Sequence, residues 1–133
     1  MKKSLLELYA LAVCFAAVIC FVSSSGIALY SVVAIINPEF TISAFEYKQY
    51  QSNDTYWQQH KYEFATKGRE IQRPPEDELT KKRKEGYELA VIAEKRSGLQ
   101  TLTKTLIVIM IDIVVFLIHW LIARRARETN SAA

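Results

Sequence analysis

Glycine-rich loops, paired cysteines and clustered histidines are all missing from this chain, which has 4 glycines, 2 cysteines and 2 histidines among 133 residues. Without glycine patterns there is no phosphate loop and no nucleophile elbow. Cys14 and Cys20 are six positions apart inside an apolar run, so they point to different sides of a helix. They read as small packing residues, not as a redox or metal pair. His60 and His119 are expected on opposite sides of a membrane and cannot share a site. No catalytic, cofactor-binding or metal-ligating residue is therefore expected, and the chain reads as a non-enzyme. Nucleic acid is not expected as a partner either: the basic run Lys81–Lys84 is flanked by acids and no readout motif accompanies it.

Charge is missing as well, but only locally. The net charge is +3, and charged residues fall almost entirely in Met1–Glu7, Asn37–Lys104 and Arg124–Glu128. Between them lie two apolar runs, Leu5–Ile36 and Leu106–Ala123. A bilayer core of about 30 Å needs about 20 apolar helical residues, and both runs qualify. A soluble chain of this size spreads its apolar residues periodically instead. The expected fold is all-α: two antiparallel transmembrane helices joined by a mostly helical extramembrane segment. The divisions are a cytoplasmic N-terminus (1–4), a first span (5–36), an extramembrane segment (37–103), a second span (104–123) and a basic tail (124–133). The first run resembles a secretory signal at its start. It resumes as IALYSVVAII after Ser23–Gly26, too long for a signal core, so it is expected to stay uncleaved. The helix has a place to bend at Ser23–Gly26 and must end by Asn37-Pro38.

Aromatics crowd the segment that follows, from Phe40 to Phe64. Ser43 with Glu46 has capping-box spacing, and Ser52–Asp54 can cap a second short helix ending near Gly68. Tyr56 and Trp57 are read as interfacial aromatics together with Trp120; the alternative is a small core between short helices. A third helix starts at Pro75, with Glu76, Asp77 and Glu78 at its positive end and Asp77–Lys81 and Glu78–Lys82 spaced as ion pairs. It either runs unbroken into the second span or bends at Ser97-Gly98. Lys81–Lys84 reads as a solvated face.

Lys2, Lys3, Arg124, Arg125 and Arg127 flank the spans and determine topology under the positive-inside rule. Both termini are expected in the cytoplasm, with the middle segment outside, although Lys95, Arg96 and Lys104 argue the other way. The overall style is taken as bacterial, which points to the inner membrane. On that view the Asn53–Thr55 triplet is a chance glycosylation signal.

The residues out of place are polar groups inside the spans. Asp112 is 11 residues before Ala123, about 16 Å from the cytoplasmic edge at 1.5 Å per residue. Counted from Leu11, Ser23, Ser24 and Ser25 reach a similar depth, and Asp112 is expected to face them, or the matching seam of a second copy, and not lipid. Gly98, Thr105, Asp112 and His119 recur every seven residues, a seam suited to left-handed helix packing. In the first span Ala12, Ala16, Cys20, Ser24 and Ala28 recur every four, a weaker small-residue stripe. His119, beside Trp120, reads as an interfacial side chain. Asp112 reads as adhesive between helices, as a protonatable site in an ion path, or as incidental. The expected function is that of a small membrane protein acting by helix association. It would be an accessory or assembly subunit, or a homo-oligomer, whose partners are the bilayer and another membrane protein or itself. The alternative is an ion- or proton-translocating subunit that uses Asp112.

Overall fold

A computed structural model describes residues 5–64 and 72–131, with no side-chain account at 130 and 131. All regular structure among these residues is helical: α1 (Leu5–Ile36), α2 (Pro38–Thr41), α3 (Ala44–Gln49), α4 (Asn53–His60) and α5 (Glu76–Ser131). α1 and α5 each contain a window long and apolar enough to cross a membrane. α1 continues through Ser23–Gly26, and α5 is a single helix of 56 residues that includes Ser97 and Gly98. The chain divides into two compact units. One takes α1 up to Val32 with α5 from Leu99 onward; the other is Val33–Gly98.

The Val33–Gly98 unit is built like a small water-soluble domain. α2, a single turn opened by Pro38, was not anticipated; it uses proline where a missing N–H costs nothing. Ser43 caps α3, its hydroxyl accepting from the Glu46 N–H at 3.2 Å. Ser52 caps α4 in a reciprocal box with Thr55, each side chain accepting the other's backbone N–H. α4 ends at His60, earlier than expected, and Gly68 lies outside the described residues. Pro75 sits just before α5, its carbonyl accepting the Leu79 N–H at 2.9 Å, one position earlier than expected.

Tyr56, Trp57 and Leu79 are the core, with Tyr50 and Phe64 packed around them. Trp57 and Phe64 meet at 5.5 Å between ring centroids, and His60 stacks on Tyr56 at 4.4 Å. Tyr56 and Trp57 are thus buried inside this unit, against Tyr50 and His60 and against Phe64 respectively. Burial, followed by the Glu63 charge, pushes the Tyr56 phenol up from its usual range. Gly86 has a packing reason for its place in α5: a Cβ there would stand 3.0 Å from the Tyr50 ring.

A polar clamp fastens α4 to α5. The Asn53 amide donates to Glu76 Oε2 and Thr80 Oγ1, both at 2.8 Å, and its oxygen accepts from Arg83 Nε at 2.9 Å. Arg83 also donates to the Tyr50 carbonyl at 2.6 Å, so one member of the Lys81–Lys84 run turns inward and not to solvent. Arg73 bridges Asp54, at 2.6 Å, and Glu76. The Asn53 and Arg73 hydrogen bonds hold the Glu76 carboxyl below its usual range. Glu78 pairs with Lys82 at 3.3 Å, whereas Lys81 lies 4.0 Å from Glu85.

Candidate helix seam and the Asp112 cleft

In the other unit, three contacts fix the register of α1 against α5. Arg127 Nε donates to Glu7 Oε1 at 3.3 Å, the Tyr9 ring lies edge-on to His119 at 6.0 Å, and the Cys14 thiol is 3.8 Å from the Phe116 carbonyl. Glu7, the single acid of the first run, is 5% exposed. Neither it nor its pairing with Arg127 stood out in the sequence. The signal was there, because an acid at one end of the first run matches a basic cluster at one end of the second.

Apart from Glu7, the buried residues of this unit are small. From α1 they include Ala10, Cys14, Ala17, Ser24 and Ser31; from α5, Thr105 and Ala123. Leu8, Phe15, Leu29, Met110, Ile111 and Val114 all lie outside, more than half exposed. Ala10, Ala17, Ser24 and Ser31 recur every seven residues. The buried stripe of α1 therefore has the period read for α5. The four-residue stripe does not hold: Ala12, Ala16 and Cys20 are exposed, and only Ser24 is buried. A seven-residue spacing keeps a small residue against the same neighbour over several turns, whereas a four-residue spacing drifts around the helix by about 40° per step.

The seam residues of α5 are not alike. Thr105 is buried and donates its hydroxyl to the Thr101 carbonyl at 2.7 Å. His119 is half-buried, with Nδ1 2.8 Å from the Val115 carbonyl; an oxygen that can only accept makes Nδ1 the protonated nitrogen. Asp112 is half-buried and lines a cleft of about 250 Å³ with Ala17, Val18, Phe21, Ile113, Phe116 and Leu117.

Ser23, Ser24 and Ser25 are not among the walls of that cleft. The Cys14–Phe116 contact puts Asp112 level with Val18, so the serines lie five to seven residues further along, about 7.5–10 Å away. The same register brings Ser25 level with Thr105. The depth argument from sequence set Leu11 level with Ala123, and the Cys14–Phe116 contact shifts that register by about one turn. Ser23 and Ser25 donate to the Ile19 and Phe21 carbonyls of their own helix, at 2.9 and 2.8 Å. Asp112 Oδ2 is enclosed and has no hydrogen-bond partner.

At the tail, Arg124 pairs with Glu128 at 3.1 Å and sits 5.9 Å from the Trp120 ring, itself 45% exposed. Arg125 is exposed. Lys2 and Lys3 lie outside the described residues. Among the described residues no group of His, Cys, Asp or Glu is placed to hold a metal ion. Comparison with protein-family models, curated proteins and solved structures gives no match.

Proposed function

We propose that the chain is a two-pass integral membrane protein that works by helix association and carries no enzymatic activity. It serves as an accessory or assembly subunit of a membrane complex, or as a homo-oligomer. Residues 5–36 and 104–123 cross the bilayer antiparallel. Residues 37–103 lie outside, and both termini lie in the cytoplasm of a bacterial cell, beneath its inner membrane. One observation carries the reading: between α1 and α5 small residues are buried and large apolar ones exposed. Only 6% of the apolar window of α5 is buried. Water would drive the large side chains inward. Lipid supplies no such drive, and there helices meet through the small residues that let backbones approach. The falling and rising numbers of the Glu7–Arg127, Tyr9–His119 and Cys14–Phe116 contacts support the antiparallel course. The cationic flanks support the orientation.

Reporter fusions at residue 133 and near Lys67 test the topology. An externally active reporter at the C-terminus with a silent one at Lys67 reverses it. Mild solubilisation of native membranes, purification of the tagged chain and mass spectrometry test the association. A monomer with no stoichiometric companion sinks it. The alternative, an ion- or proton-translocating subunit, draws on the enclosed Asp112 oxygen. It requires ion flux in vesicles that Asp112→Asn abolishes.

A further inference from the structure

The walls of the Asp112 cleft are hydrocarbon from both helices. Its volume, about 250 Å³, admits a long side chain. Asp112 as a whole is half-buried, its Oδ2 is enclosed without a partner, and rotation about the terminal torsion exchanges that oxygen with the other. The polar neighbours along the seam bond elsewhere. Ser23, Ser25 and Thr105 donate to backbone carbonyls one turn back, and so does His119 Nδ1. Across 5–36 and 104–123 the one lysine or arginine is Lys104, at the end of the second span and eight residues, about 12 Å, from Asp112. A second copy would thus bring hydroxyls and another carboxylate to this depth, and no cation.

We infer that the Asp112 cleft recognises a membrane helix of another protein that carries a lysine or arginine near mid-span. The inference rests on α5 crossing the bilayer. An ionisable group alone in hydrocarbon is costly on either helix. Pairing lowers the cost on both, and a neutral hydroxyl relieves the carboxylate only in part. The aliphatic stem of the cation would pack on Phe21, Phe116 and Leu117 while its head meets Asp112.

The test uses the full chain in lipid vesicles with synthetic apolar helices about 20 residues long bearing Lys, Ser or Leu at the centre. Energy transfer between terminal labels reads binding. The lysine helix should bind about tenfold tighter than the leucine helix. Asp112→Glu should keep that preference. Asp112→Asn should remove it, with circular dichroism verifying that its helices are intact. Equal binding of the lysine and leucine helices to the unaltered chain overturns the inference whatever the variants do. So does a preference that survives in Asp112→Asn. Serine matching lysine overturns it in favour of neutral hydrogen bonding, as a second copy could supply. A chain that fails to float with the vesicles refutes the membrane reading itself, and so is told apart from failure of the cleft alone.

Discussion

The two units bury opposite kinds of residue. Val33–Gly98 hides Trp57, Tyr56 and Leu79 and fastens its helices with Asn53, Arg83, Arg73 and Glu76. The pair formed by α1 and the later part of α5 hides alanine, serine, threonine and cysteine and leaves leucine, isoleucine and phenylalanine outside. On the proposed membrane reading, the same twenty side chains obey different rules because the solvent differs. Where water is outside, removing large apolar area from it is the main gain, at about 25 cal/mol per Å². Where lipid is outside, that gain vanishes and close backbone contact decides instead.

The largest effect should come from the water-facing core. Trp57→Ala should cost about 3–5 kcal/mol and abolish slow hydrogen exchange across α4 and the start of α5. Leu117→Ala, at a half-exposed position of the other unit, should leave helicity in vesicles unchanged. Comparable losses from both would erase the contrast between the units.

Next in size is the small-residue contact. Ala17→Leu inserts bulk where α1 meets α5 and should cost about 1–3 kcal/mol by overpacking. Its readout is disulfide trapping between cysteines placed at 25 and 105, in a chain with Cys14 and Cys20 replaced. These should crosslink readily in the parent and poorly in the Leu variant. A cysteine at 107 in place of 105, on an exposed face, should crosslink little in either. Equal trapping at 105 and 107 would show that α5 has no seam.

Breaking the clamp should come third. Asn53→Ala leaves Arg83 Nε, Thr80 and Glu76 without a partner they now have and should cost about 1–3 kcal/mol. Denaturation of the Val33–Gly98 region measures it, and a neutral outcome would mean that water replaces the amide without loss. The Asn53 amide nitrogen is also the atom a glycan would occupy, and here it already donates to Glu76 and Thr80.

The smallest effects are pH-dependent and of opposite sign. The Glu76 carboxyl is lowered by the Asn53 and Arg73 hydrogen bonds. Its contribution is present above the ordinary glutamate range and is lost as pH falls through the lowered value. Tyr56 is raised by burial. Its contribution is present below the usual tyrosine range and is lost as pH rises through the raised value. Glu76→Gln should flatten the acid limb of the stability profile and Tyr56→Phe the alkaline limb. A limb unchanged by its substitution removes that group as the cause.

Much of this was legible in the residues themselves. Two apolar runs, each with a single acid, specify two long helices, because backbone groups in an apolar stretch are satisfied most cheaply within one helix. Ser43 and Ser52 announce the starts of α3 and α4, since capping is a bond between residues three apart. The seven-residue spacing of Thr105, Asp112 and His119 is likewise readable from sequence, because period and pitch are local properties; Thr105 is buried, and Asp112 and His119 are half-buried. Tertiary structure alone decided the register. It set Asp112 beside Ala17 and Phe21 and not beside Ser23–Ser25, and it joined Glu7 to Arg127 across 120 residues. It also chose the seven-residue stripe of α1 over the four-residue one and turned Arg83 toward Asn53. A helix of small residues offers several faces of similar quality, and only the partner helix selects one by fitting against it.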